Sequence, residues 1–338
     1  MCLYPKLILN KKYCSTKKNK GVIPPCPNEK LRYVTAACGE CYECRKQKQR
    51  AWVTRMTEEL KQNPNAGFYT LTIDNEHYKK LSKECKSKDE NTIATYALRM
   101  FLERIRKKLK KSVKHWCITE LGHEKSERLH LHGIFWGCGI ESIIREKWQN
   151  GFVFVGNYVS QRTINYITKY MLKTDLDHPT FKGKVLCSAG IGRGYEKSIN
   201  AQNNKFKGED TNETYRLPNG AKINLPIYYR NKIYSEEERE ALFLSKVEKG
   251  IIWICGEKCL IDDYESYINL LKYHRNRASR LYHDNPQDWE QAKYLRRLER
   301  QRNQKKRTMR TQAYAERVQY YSGLQGNLFG FHTFPLGV

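Results

Sequence analysis

The stretch HWCITELGHEKSERLHLHGIFWG, residues 115–137, constrains the fold more than any other part of this chain. Two runs rich in aromatic and β-branched residues, 115–121 and 129–136, flank a polar segment, GHEKSER, that suits a hairpin loop. The apolar GIFW that ends the second run marks a buried central strand. Around this hairpin, GFYTLTI at 67–73 and GFVFVG at 151–156 also read as strands. A long amphipathic helix is expected from Asn91 to Lys111, with its apolar stripe at Ala94, Leu98, Phe101, Ile105 and Leu109. Ser160 can cap a further helix through QRTINYITKYMLK. The order strand, helix, hairpin, strand, helix predicts an α+β fold, one antiparallel sheet with flanking helices.

The rest of the chain divides around that core, expected over 63–175. Residues 1–62 read as a Cys-rich amino-terminal module of loops and short strands, followed from Glu43 by a basic helix with Trp52, Met56 and Leu60 at four-residue spacing. Residues 176–262 read as an accessory, DNA-contacting segment, in which Gly190, Gly192 and Gly194 mark a loop able to approach a phosphate backbone beside Arg193. Residues 263–338 read as a basic helical region, and QAKYLRRLERQRNQKKRTMR holds Arg296 and Arg297 within a dense run of cations.

Charge narrows the partner. Sixty-two Lys and Arg against 36 Asp and Glu give a net +26, repulsion that a compact protein holds most easily against a polyanion. Nucleic acid is the expected partner, with Lys107 and Lys108 on the long helix, Arg193, Arg296 and Arg297 as contacts. No apolar run approaches the roughly 18 residues of a spanning helix, and the start lacks a signal-peptide core, so no membrane partner and a cytoplasmic location are expected. No GxxxxGK[ST] loop is present, so duplex unwinding has to come from a partner.

His130 and His132 fall on one side of their strand, with Leu131 opposite, and two imidazoles at that spacing can share a divalent ion. The alternative is a pair of strand histidines merely hydrogen-bonded to neighbours. Glu120, across the hairpin, adds a carboxylate ligand. Downstream, YITKY places Tyr166 and Tyr170 about 40° apart on a helix, with Lys169 beside them and Ile164, Ile167 and Met171 opposite. Two amphipathic tyrosines covering a sheet edge are the structural alternative. A phenol, with a pKa near 10, attacks phosphate poorly until something stabilises phenolate or offsets phosphate charge. A divalent ion such as Mg²⁺ or Mn²⁺ on His130, His132 and Glu120, together with Lys169, meets that need.

Twelve cysteines in a long, charged chain suggest reduced thiols or metal ligands rather than disulfides. Cys38, Cys41 and Cys44 offer three thiolates for a structural zinc, which needs a fourth ligand; Cys26 is taken first, with Cys14 and Cys2 as alternatives.

These motifs resemble those of the HUH endonucleases, named for histidine, hydrophobic residue, histidine. More closely they resemble the replication initiators of Microviridae, gokushovirus-like phages: CGECYECR at 38–45, TELG leading to HLHGIFWG by 137, and YITKY at 166–170 occur in the same order. GIGRGY at 190–195 and LPIYYRNKI at 225–233 are also similar to pieces of that family. The resemblance implies a ferredoxin-like or RRM-like core, histidines on a central strand and tyrosines on an adjacent helix. It further implies that FYTLT at 68–72 is an edge or origin-contact element.

The function expected is that of a rolling-circle replication initiator in the bacterial host cytoplasm, working on single-stranded origin DNA with host helicase and polymerase. A tyrosine would cut the strand and stay joined to its 5′ phosphate. A related HUH transposase or relaxase is one alternative. A non-catalytic, zinc-stabilised DNA-binding protein is another.

Overall fold

The runs at 66–73, 114–121 and 129–136 bury side chains on both of their faces, which demands cover on both sides of whatever sheet they form. The structure, a computed structural model, describes residues 1–122, 127–173, 175–178, 180–217, 219–260 and 262–283. All of these fall within one unit, Met1–Asn285.

The first half of the chain runs β1 (Lys6–Leu9), β2 (Tyr33–Ala36), α1 (Tyr42–Gln62), β3 (Ala66–Ile73), α2 (Asn75–Cys85), α3 (Glu90–Leu109), β4 (Lys114–Leu121), β5 (Leu129–Trp136), α4 (Glu141–Lys147), β6 (Val153–Tyr158) and α5 (Gln161–Thr168). It continues through β7 (Val185–Cys187), α6 (Ile199–Gln202), β8 (Thr214–Arg216), β9 (Lys222–Asn224), α7 (Ile227–Ile233), α8 (Glu236–Glu248), β10 (Ile251–Ile254), β11 (Glu257–Leu260) and α9 (Tyr264–Tyr282).

Five strands make one antiparallel sheet in the order β6-β3-β5-β4-β7. The hairpin read from the sequence is β4–β5, with Glu120 opposite His130 and Ile118 opposite His132. On one side of the sheet, Leu71, Leu131, Phe135 and Cys117 pack with Ile93, Leu98, Phe101 and Ile105 of α3 and with Ile144 of α4. On the other, Trp116, Ile118, Ile134 and Trp136 meet Met56 of α1 and Ile164 and Ile167 of α5. Each of these large apolar side chains contributes about 1.5–3 kcal/mol on burial. Helices thus cover both faces, and the α1/α5 side is apolar at one end of the strands only. At the other end the same side carries Thr70, Thr72, Glu120, His130 and His132.

Three expectations are corrected here. The segment at 68–72 is not an edge element: β3 lies between β6 and β5 and bonds to both. Its alternate residues reach both packed layers, which an edge position would waste. The helix expected to reach Lys173 ends at Thr168 and tightens into a 3₁₀ turn, Lys169–Met171. Thr168 Oγ1 donates back to Ile164 O at 2.9 Å and to Asn165 O at 3.2 Å, competition that Thr offers a helix backbone. The glycine loop approaches protein, not phosphate: Gly192, at φ +71, lies so close to α1 that a Cβ would stand 2.4 Å from Arg55 O.

α1 is sandwiched between the sheet and a second apolar cluster, Tyr195, Tyr215, Leu225, Tyr229, Tyr234 and Leu242. This explains why its carboxylates are buried. Glu58 accepts from Tyr215 Oη at 2.5 Å and from Lys61 Nζ at 2.6 Å. Glu59 accepts from Lys114 Nζ at 2.5 Å and from the Gly192 amide at 2.8 Å. Arg296 and Arg297, with the basic run around them, lie outside the described residues.

Candidate functional site

β5 supplies both histidines, and β3 fixes them. Thr70 pairs with His132 and Thr72 with His130, and each Thr Oγ1 stands 3.0 Å from the Nδ1 of its histidine. With Nδ1 engaged, the Nε2 of each ring is left for the site, a standard way of setting tautomer and orientation. Burial, and then the neighbouring His132, lowers the pKa of His130 and favours the neutral ring a metal requires.

Glu120 faces His130 in register but reaches diagonally to His132, Oε2 to Nε2 2.6 Å. Its Oε1 accepts from Lys173 Nζ at 2.5 Å. Burial would raise this carboxyl's pKa, but the bonds from His132 and Lys173 prevail and hold it below the usual value.

The tyrosines arrive on α5 and the turn that follows it. Ser160 is the helix N-cap, as its sequence position suggests, and its amide donates to Thr163 Oγ1 at 3.2 Å. Tyr170 stacks on His132 with 4.4 Å between centroids and 2° between planes, and its hydroxyl donates to Tyr166 Oη at 2.9 Å. Burial and that contact push the Tyr170 phenol well above its ordinary pKa. Tyr166 is 44 % exposed and meets Phe68 edge-to-face at 6.0 Å. Lys169 Nζ lies 4.0 Å from the Tyr166 ring centroid and 5.2 Å from that of Tyr170. An open cleft of about 450 Å³ runs between Tyr170, Lys173 and Glu120 on one side and the stacked rings of Tyr42 and Tyr282 on the other.

Residues 66–175 match the family model described as Replication-associated protein ORF2. The match supports a rolling-circle replication initiator family. It opens at β3 and closes just past Lys173, so it holds every residue of the histidine–tyrosine site named above. No curated protein and no solved structure matches the chain.

The structure brings His130, His132, Glu120, Tyr166, Lys169 and Tyr170 to one end of one sheet face. Among the described residues, however, no triad of His, Glu and Asp brings its ligand atoms within 4.8 Å of one another; only four cysteines do so. Lys107 and Lys108 are exposed on α3, against the opposite face of the sheet. Arg193 is exposed beyond the glycine loop and pairs with Glu196 at 3.6 Å. Thr70, Thr72 and Lys173 were not legible as site residues. The signal for the threonines was present: Thr-Leu-Thr has the same two-residue period as His-Leu-His.

The four cysteines are Cys2, Cys38, Cys41 and Cys44, all buried. Cys2 therefore takes the place assigned to Cys26, whose thiol instead donates to Asn28 O at 3.1 Å within its Pro-rich loop. Sγ separations of 3.4 Å for Cys2–Cys38, 3.9 Å for Cys2–Cys41 and 3.8 Å for Cys38–Cys44 surround the roughly 3.8 Å edge of a tetrahedron with 2.3 Å zinc–sulfur bonds. Amides of Tyr4 and Cys38 donate to Cys2 Sγ at 3.3 and 3.2 Å, and the Cys41 amide donates to Cys38 Sγ at 3.3 Å. The bond from Cys2, followed by those from Cys41 and Cys44, drives the Cys38 thiol far down, while the same crowding drives Cys41 and Cys44 up. Four thiolates this close can ionise together only around a cation, so the cluster could hold a metal such as zinc. It ties the chain start to α1, and Arg275 of α9 extends the tie by donating to Leu3 O at 2.7 Å.

Proposed function

We propose that this chain is an HUH-type, metal-dependent nicking and strand-transfer enzyme that initiates rolling-circle replication, with the ferredoxin-like or RRM-like core and the Microviridae kinship its motifs resemble. One observation carries the reading: inside the matched segment, two tyrosine hydroxyls in mutual contact stack against a histidine that is bonded to a glutamate.

His130, His132 and Glu120 would hold the divalent ion, Mg²⁺ or Mn²⁺. The donor set fits, since both Nε2 atoms are left available by the Thr–Nδ1 contacts and Glu120 is already ionised beside His132. Bound there, the ion would neutralise phosphate charge and polarise the scissile phosphodiester. Tyr166 is placed for first attack by its exposure and by the hydrogen bond it accepts from Tyr170, which favours its phenolate. Its Oη forms a bond to phosphorus, the bond from phosphorus to the 3′ oxygen breaks, and that oxygen takes up a proton. The 5′ phosphate remains on tyrosine and the free 3′ hydroxyl primes synthesis. Lys169, beside both rings, offsets the negative charge that develops. Tyr170 is then available for a second cut one circle later. Unwinding and synthesis fall to host helicase and polymerase.

A second reading, a zinc-stabilised protein that binds DNA without cutting it, is favoured by the Lys173–Glu120 pair, which occupies one oxygen of the carboxylate. Denaturing electrophoresis of labelled single-stranded origin DNA after incubation with protein and Mn²⁺ separates the two. The nicking reading expects a metal-dependent covalent adduct, reduced about a hundredfold or more by Tyr166→Phe and absent in the double variant with Tyr170→Phe. A protein that binds the strand but yields no adduct under any metal favours the second.

A further inference from the structure

The histidine rows do not stop at β3. Phe154 pairs with Thr70, which pairs with His132, so one row across the sheet reads Phe154, Thr70, His132, Ile118. Thr72 donates its amide to Phe152 O at 2.9 Å, which continues the register into a second row: Phe152, Thr72, His130, Glu120. Side chains in one row share a face. Both rings therefore lie on the face of the candidate site, at the sheet edge formed by β6.

Phe152 is 66 % exposed and Phe154 50 % exposed. Phe68 joins them to the tyrosines: it lies edge-to-face with Phe154 at 6.4 Å and with Tyr166 at 6.0 Å. Gly156 makes that bridge feasible, because a Cβ there would stand 2.5 Å from Phe68 Cδ1. The result is a continuous aromatic surface running Phe152, Phe154, Phe68, Tyr166, Tyr170. Its neighbours on α5, Arg162 and Lys169, are exposed cations. Two open phenylalanine rings on a sheet edge are an association hazard unless something covers them.

We infer that Phe152 and Phe154 form a stacking platform for unpaired DNA bases, holding the single strand whose phosphodiester is offered to Tyr166. The inference rests on the nicking reading for its substrate. Three observations select this occupant over a second copy of the chain: the shared rows with His130 and His132, the aromatic continuity to the attacking hydroxyl, and a net charge of +26 that opposes self-association and favours a polyanion. Aromatic faces suit any base, so the platform grips strand without reading sequence, and duplex, with its bases stacked inside, cannot use it.

The test is fluorescence anisotropy of the full chain without added divalent ion. Ligands are labelled oligo(dT), the same strand carrying abasic sites, and a duplex of equal length. The Phe152→Leu, Phe154→Leu variant keeps apolar bulk and removes both rings; it is expected to lose about tenfold or more in oligo(dT) affinity. Its affinities for duplex and for abasic strand are expected to equal those of the wild type. The Phe152→Tyr, Phe154→Tyr variant keeps oligo(dT) binding near the wild-type level, which a mere demand for phenylalanine packing would not allow. Equal oligo(dT) affinity for the wild type and the leucine variant overturns the platform. So does an equal loss on abasic strand, or sedimentation showing a wild-type dimer that the leucine variant abolishes while base-dependent binding is kept. A base-dependent loss supports the platform even where no covalent adduct forms, and adduct formation by a leucine variant with undiminished binding sinks it while sparing the nicking reading.

Discussion

Two clusters of metal-ligand residues stand at opposite ends of the sequence logic of this chain, and they differ in readiness. In the cysteine cluster the four sulfurs already lie within 4.8 Å of one another, buried and supported by amide hydrogen bonds. At the histidine site the rings are held by Thr70 and Thr72, yet Glu120 is shared between His132 and Lys173. A preassembled, closed set of four soft ligands suits an ion that holds chain segments together. A set held from behind, with mobile charges in front, suits an ion that must also admit substrate. The contrast separates stability from activity, and perturbations of the two clusters should have different readouts.

The largest effect belongs to the cysteines. Cys38→Ala, or a strong chelator, should destabilise the junction of the chain start, α1 and α9 by several kcal/mol, seen as a lower melting temperature and loss of about one zinc by metal analysis. An unchanged melting temperature would remove the structural role. His132→Ala should act in the opposite sense: metal-dependent adduct should fall at least a hundredfold in the gel assay while thermal stability changes by no more than about 1–2 kcal/mol. If both quantities fall together, the separation fails.

The threonines test how far the histidine site depends on what lies behind it. Thr70→Val keeps shape but removes the partner of His132 Nδ1, and a loss of about 10–100-fold in metal affinity is expected by titration. An effect within twofold would make that contact incidental. Acid should act on the same site: His130 is the group with a lowered pKa, so its neutral form persists as pH falls and protonation begins only below the ordinary imidazole value near 6.5. Adduct formation should hold between pH 7 and about 6.5 and decline beneath that. Because the folded ring resists the proton more than the unfolded one, stability is also lost as pH falls through this window. The smallest effect is expected from Lys173→Met. It frees one oxygen of Glu120, so metal affinity should rise by about three- to tenfold; a weaker site would mean that Lys173 positions the carboxylate.

Several of these groups could be named from the sequence because each announces itself locally. His-x-His puts two rings on one strand face by period alone, and YxxxY puts two phenols on one helix face by angle alone. Glu120 follows from a hairpin short enough to fix its register. Cys2 does not announce itself: it is separated from Cys38 by a loop whose path depends on β1 pairing with β2. Cys26 is nearer in sequence and is the wrong thiol. Thr70 and Thr72 needed the order β6-β3-β5-β4, in which strands distant along the chain become neighbours. Lys173 needed the end of α5 to tighten, which turned its ammonium toward Glu120.

The sequence by itself determined which side chains share a face, the hairpin that opposes Glu120 to His130, and the charge that makes a polyanion the natural partner. These depend on periods of two and of 3.6 residues and on counting, which need no knowledge of the chain's path. Only the tertiary structure decided that Cys2 completes the cysteine cluster, that the threonines of β3 orient the histidines, and that Phe152 and Phe154 extend the histidine rows to an open edge. Each of these joins segments from different elements, and which segments become neighbours is settled by how the two faces of one sheet are covered rather than by any local pattern.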